Sequence, residues 1–133
     1  MSIGLLLITH SRIGDALREA ASKMFDGALL PPIKTLSVGA DCNPDQIRLQ
    51  ARDAVDSLDE GEGVLVFTDI YGSTPSNIAY GLAERGRVNV ISGVNLPMLI
   101  RTLNYQGLDL ISLTEKAVSG GREGIHCCER RIK

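Results

Sequence analysis

Ile3-Gly4-Leu5-Leu6-Leu7-Ile8-Thr9-His10-Ser11-Arg12-Ile13-Gly14 decides how this chain is read. The apolar run over residues 3–9 has no polar alternation, which is the pattern of a strand buried on both faces. Directly after it, residues 14–26 carry Ala16, Leu17, Ala20, Ala21 and Met24 at helical spacing. The join is therefore strand, histidine, loop, helix. In open α/β sheets ligands sit just beyond the carboxyl ends of parallel strands. His10 falls there, and a neutral imidazole in that place is an accessible nitrogen nucleophile.

Outward from this unit the same alternation recurs. Residues 32–38 read as a second strand, begun after the Pro31-Pro32 pair that excludes helix. Asn43 caps a helix with Pro44 in its first turn, running to Leu58 with Ile47, Ala51, Ala54 and Val55 on one face. Residues 63–68 form a third buried strand, and Thr74-Pro75 opens a third helix that continues to about Arg85. Residues 87–92 give a fourth strand, and Asn95-Leu96-Pro97 opens a fourth helix to about Leu103. A fifth helix covers 109–119 and ends at Gly120-Gly121. Ile125 to Cys128 is expected to add a short final strand. The 133 residues make one α/β domain, an open and mostly parallel sheet with helices on both faces.

Composition removes several functions. The formal net charge of −2, without a basic cluster, argues against nucleic-acid binding. Aromatics at 4% with no tryptophan leave no stacking platform for bases. No apolar stretch reaches 18 residues, and no signal peptide precedes the first strand, so a cytoplasmic protein is expected. Three cysteines, two of them the adjacent Cys127 and Cys128, lack metal-ligand spacing, so no metal is expected.

Three strand ends can carry chemistry. The first offers Thr9-His10-Ser11. The third offers Thr68-Asp69-Ile70-Tyr71-Gly72-Ser73-Thr74-Pro75, and the fourth Ser92-Gly93-Val94-Asn95. If strands one and three are neighbours, their loops meet at a topological switch point. Asp69 would then accept one ring N–H of His10, fix its tautomer and leave the other nitrogen free. The helix opening at Thr74 would present backbone N–H groups to an anion. Gly72 would allow close approach, with Ser73 and Thr74 as hydroxyl donors. Together these suggest phosphoryl capture on histidine. Singly, each has a plainer role: a structural histidine, a turn aspartate, a helix start. Arg12 is either a docking charge or solvated, and Tyr71 and Met98 are either a docking rim or core.

Ile8-Thr9-His10 with Gly14, the stretch Thr68 to Asn77, and Asn95-Leu96-Pro97-Met98-Leu99 resemble the mannose/fructose-type enzyme IIA family. These are components of the bacterial phosphoenolpyruvate-dependent sugar phosphotransferase system. The resemblance covers nearly the whole chain. It implies a phosphotransferase that takes a phosphoryl group from the histidine phosphocarrier protein HPr onto His10 and passes it to an enzyme IIB partner. It places the accompanying aspartate on Asp69 and the phosphate-facing loop on Gly72, Ser73 and Thr74. It implies no cofactor, and membrane association only through the permease partners. It further implies a homodimer exchanging a C-terminal strand, here Ile125 to Glu129. A variant reading is a regulatory phosphoprotein of the same fold, whose His10 phosphorylation controls partner binding. The chain departs from the family pattern in carrying Ser11 after the histidine and Gly72-Ser73 where Gly-Gly is common. A positive φ at Ser73 would be costly for a residue with a side chain. With no fused IIB domain before Lys133, the acceptor is expected in trans.

Overall fold

The computed structural model describes residues 2–26 and 29–129. Four strands alternate with helices: β1 (Gly4–His10), α1 (Ile13–Met24), β2 (Ile33–Val38), α2 (Pro44–Leu58), β3 (Val64–Thr68), α3 (Thr74–Leu82), β4 (Val88–Ser92), α4 (Leu96–Asn104) and α5 (Leu110–Glu123). All strand pairs are parallel, in the order β2-β1-β3-β4. The chain goes from β1 to one side for β2 and to the other for β3, so the switch point lies between β1 and β3. That is the neighbour relation on which the His10–Asp69 expectation depends.

The apolar strand runs conceal a period of two. Leu6, Ile8, Val64 and Val66 face α2 and α3, packing on Ile47, Ala51, Val55, Ile78 and Leu82. Leu5, Leu7, Leu65 and Phe67 face the other way, onto Ala21 of α1, Met98, Leu99 and Leu103 of α4, and Leu113 and Ala117 of α5. Because successive side chains alternate, His10 shares the face of Leu6 and Ile8 and points toward α2 and α3.

Several boundaries differ from the sequence reading. His10 is the last residue of β1 rather than the residue after it, since it stays in register with Val38 of β2. The cap of α3 is Ser73, one residue earlier than Thr74, and α3 tightens after Leu82 into a 3₁₀ turn, Ala83–Arg85. Gly120-Gly121 does not end α5, which continues to Glu123. These glycines are contact residues. A Cβ on Gly120 would lie 2.4 Å from the Arg101 Cβ, and one on Gly121 would lie 2.6 Å from the Met98 Cε. Close approach of α4 and α5 needs both positions bare, and that packing outweighs glycine's poor helix propensity. The expected strand at Ile125–Cys128 is also corrected. Residues 125–129 are exposed and pair with no strand among the described residues.

Two glycines separate these effects. Gly120→Val overpacks the α4–α5 seam and is expected to destabilise the fold by about 1–3 kcal/mol. Gly81→Ala, in α3 with nothing within 4 Å of an added Cβ, is expected to stabilise by about 0.5–1 kcal/mol. Urea unfolding of both variants checks the opposite signs.

Candidate functional site

The β1–α1 turn is fixed from below. The buried Thr9 hydroxyl accepts the Gly14 N–H at 2.8 Å, which ties the first turn of α1 to the end of β1. Gly14 packs tightly here: a Cβ would lie 3.1 Å from that hydroxyl and 3.3 Å from the Leu7 Cβ, so a larger residue would have to displace them slightly. The turn between them is sharp enough to hold Ser11 at φ 46°. Its N–H still reaches Val38 O at 3.2 Å, extending the β1–β2 pairing. His10 is thus gripped between two ordered neighbours.

Its ring is oriented from β3. The β1–β3 register ends at Ile8 and Thr68. Beyond it, the Asp69 carboxylate takes over: Oδ2 lies 2.8 Å from His10 Nδ1 and accepts the His10 backbone N–H at 3.0 Å. Oδ1 accepts the Ile70 N–H at 3.1 Å. Burial works against charge on Asp69, whose side chain is 9% exposed, but the hydrogen bonds from the His10 ring and backbone outweigh it and hold the carboxyl below its ordinary value. The carboxylate is then an acceptor only, so in the neutral ring Nδ1 carries the proton and Nε2 keeps the lone pair. The His10 side chain is 43% exposed, so that nitrogen belongs to an accessible ring.

A cavity of about 450 Å³ opens beside the imidazole. His10 and Ser11 line it from β1 and its turn, Val38, Gly39, Ala40 and Cys42 from the β2–α2 connection, and Pro44 and Thr74 from the starts of α2 and α3. No carboxylate is among these lining residues. Two helix N-termini border the same space, and their dipoles favour negative charge there. Among the described residues the Thr74 N–H has no partner. An anion of phosphoryl size therefore meets an imidazole, the hydroxyl-bearing residues Ser11 and Thr74, and no carboxylate in the lining.

The three loop residues expected at the phosphate divide their roles. Thr74 lines the cavity with His10. Gly72 supplies the turn, at φ 84°, and its N–H donates to the Ser76 hydroxyl at 3.3 Å. Ser73 acts as the cap: its hydroxyl donates to Ile70 O at 2.6 Å and accepts the Ser76 N–H at 3.4 Å. Ser73 has φ −84° and carries no left-handed strain.

Sequence reasoning missed the β2–α2 loop as a wall of the cavity. Extending the switch-point argument to β2, which flanks β1, would have found it. Thr68, which opens the third strand end read from the sequence, is buried, and its hydroxyl has no partner among the described residues. Met98 is core at 5% exposure, whereas Tyr71 is 75% exposed. Arg12 is exposed. Among the described residues no His, Cys, Asp and Glu cluster could hold a metal, and no helix is long and apolar enough to cross a membrane.

Comparison with known proteins follows the same lines. The chain is 39% identical over 71 residues to the PTS system mannose-specific EIIAB component of Escherichia coli. That match covers 51% of this chain and 22% of that protein's length. It is 30% identical over 82 residues to the PTS system fructose-specific EIIA component of Bacillus subtilis, covering 60% of this chain and 56% of that one. The solved mannose/sorbose specific IIA subunit from Enterococcus faecalis superposes with a TM-score of 0.86 at 18% identity, over 100% of this chain and 99% of its own, which shows a shared fold. The family described as PTS system fructose IIA component matches residues 4–117, and with an α/β sheet of that family's shape the chain belongs to it.

Proposed function

We propose that this protein is a cytoplasmic phosphoryl carrier, which accepts a phosphoryl group from phospho-HPr on His10 Nε2 and passes it to an enzyme IIB partner in sugar uptake. The observation that carries the reading is the 2.8 Å contact of His10 Nδ1 with Asp69 Oδ2 beside an open, carboxylate-free cavity. Family membership supports it.

The step is a displacement at phosphorus. The Nε2 lone pair of His10 forms the new N–P bond as the N–P bond to the donor's histidine breaks, and the electron pair returns to the donor's ring. No proton need leave His10, because its Nδ1 proton stays on the hydrogen bond to Asp69. The ring becomes a phosphorylated imidazolium, and the adjacent carboxylate offsets its positive charge. The helix N-termini and the Thr74 N–H and hydroxyl meet the phosphoryl oxygens. Transfer onward runs the same way in reverse, with the acceptor's side chain attacking and His10 leaving as neutral imidazole.

The homodimer implied by the family resemblance is part of the same proposal. Among the described residues the outer edge of β4 has no strand beside it, and a groove lined by Val90, Ser92, Gly93, Val118 and Ile125 runs along it. The exposed tail from Ile125 starts at that groove. Exchange of Ile125 to Glu129 onto the β4 edge of a second copy would give both elements a partner and cover an exposed edge.

Incubation with phosphoenolpyruvate, enzyme I and HPr is expected to add one acid-labile phosphoryl group to the wild type, seen by intact mass, and none to His10→Ala. Transfer to His10→Ala, or no transfer to wild type, would sink the proposal. Asp69→Asn removes a charge-assisted hydrogen bond of about 1.5–3 kcal/mol, so the transfer rate is expected to fall roughly 10- to 100-fold.

Asp69 also links stability to pH. Its folded value is lowered, so its contribution is complete above the unfolded carboxyl value and disappears as pH falls through the folded one. Wild-type stability should therefore drop on acidification through that acidic window more steeply than that of Asp69→Asn. Parallel denaturant curves across the window check this, and identical slopes would remove Asp69 as the cause. Deletion of residues 125–133 is expected to convert the dimer into a monomer by light scattering, and an unchanged mass would exclude exchange of that strand.

A further inference from the structure

We infer that the side chains of Ile70 and Tyr71 are the docking anchor for the protein that exchanges a phosphoryl group with His10. The inference rests on the phosphocarrier reading and names the surface through which that site is approached.

The loop after β3 turns outward once Asp69 is held by His10. The next two side chains are apolar and stand in solvent, Ile70 at 61% and Tyr71 at 75% exposure. Aromatic residues are scarce in this chain, with three tyrosines, two phenylalanines and no tryptophan. Two of the tyrosines meet here. The Tyr71 ring stands edge-on to Tyr80, with centroids 5.8 Å apart and planes at 87°. The Tyr80 hydroxyl in turn accepts from the Ser92 Oγ at 3.3 Å, which ties the pair to the end of β4. Beneath Ile70 the backbone is held at both ends. Its N–H donates to Asp69 Oδ1, and its carbonyl accepts from the Ser73 hydroxyl at 2.6 Å and the Ser73 N–H at 3.4 Å.

An exposed apolar pair on a fixed loop is preorganised for contact, so covering it costs little ordering. Rigid aromatic side chains in such positions are typical centres of interface affinity. The occupant follows from what the pair does not touch. Neither Ile70 nor Tyr71 lines the cavity that admits an anion to His10. A small phosphorylated molecule entering that cavity has no reason to reach them. They follow directly on Asp69, whose carboxylate lies 2.8 Å from the His10 ring, so a body wider than the cavity that delivers a phosphoryl group to His10 meets this loop. The fitting partner is thus a protein with an apolar patch around its own phosphoryl-bearing residue.

Two phosphoryl donors separate docking from chemistry. Phospho-HPr has a protein surface. Phosphoramidate has none: its P–N bond breaks, ammonia leaves with the electron pair, and the N–P bond forms on His10. The Ile70→Thr/Tyr71→Ser double variant is expected to lose about tenfold or more in kcat/KM with phospho-HPr, while its rate with phosphoramidate stays at the wild-type level. Tyr71→Phe is expected to match wild type with both donors. An unchanged rate with phospho-HPr, or equal losses with the two donors, would overturn the anchor. A wild type that gains phosphate from neither donor would instead overturn the phosphocarrier reading.

Discussion

One carboxylate joins the two strands on which the site is built. The β1–β3 ladder stops at Ile8 and Thr68, and the next bond across that gap comes from a side chain: Asp69 Oδ2 accepts the His10 backbone N–H. The same oxygen lies against His10 Nδ1. Strand register, ring orientation and tautomer are therefore set by a single atom. The geometry leaves little freedom. Moving the carboxylate to improve one hydrogen bond would strain the other, and both lie close to ideal distance. Burial alone would raise the carboxyl, and the hydrogen bonds from the His10 ring and backbone, with that from the Ile70 N–H, hold it below its ordinary value. The aspartate keeps the imidazole aligned, and the imidazole keeps the aspartate charged.

The sheet order turns this local contact into a site. With β1 between β2 and β3, loops from three strand ends surround His10, and the helices that follow β2 and β3 lie on the face toward which it points. Both helices begin with a side-chain cap and a proline in the first turn, Asn43 before Pro44 and Ser73 before Pro75. Caps of this kind stop the helix cleanly at the strand end and keep the dipole's positive end at the cavity. Local sequence, topology and electrostatics point to the same place, which is the consistency expected of a functional site on a parallel sheet.

Most of this was legible in the sequence because it rests on local signals. Continuous apolar runs named the buried strands, and Asn-Pro, Thr-Pro and Leu-Pro steps named the helix starts within a residue. The His10–Asp69 pairing needed only one topological assumption, that β1 neighbours β3. The failures are where tertiary contact decides. Gly120-Gly121 reads as a stop signal, yet Arg101 and Met98 sit where side chains would have been. Residues 125–129 have strand-like composition, but a strand is defined by a hydrogen-bonded neighbour, and none pairs with them among the described residues. The wall formed by Val38, Gly39, Ala40 and Cys42 has no chemical motif at all; it exists because β2 happens to lie beside β1.

The departures from the family pattern are settled by backbone geometry rather than by residue type. Glycine is costly to replace only where φ is positive. In the Gly72-Ser73 pair the left-handed residue is Gly72, at φ 84°, and Ser73 lies at −84°. Serine at position 73 therefore costs nothing in backbone strain and adds a cap that glycine could not provide. Ser11 is the opposite case. It occupies φ 46°, and a non-glycine residue there carries a cost of about 1–2 kcal/mol. That strain is held by the Thr9–Gly14 bond behind it and the Ser11–Val38 bond beside it. In return the cavity gains a hydroxyl next to His10. Strain retained beside a nucleophile, with a polar group placed by it, is the pattern by which loops at catalytic sites differ from ordinary turns. Serine at position 11 therefore puts a hydroxyl-bearing residue in the cavity lining beside His10, at the cost of that backbone strain.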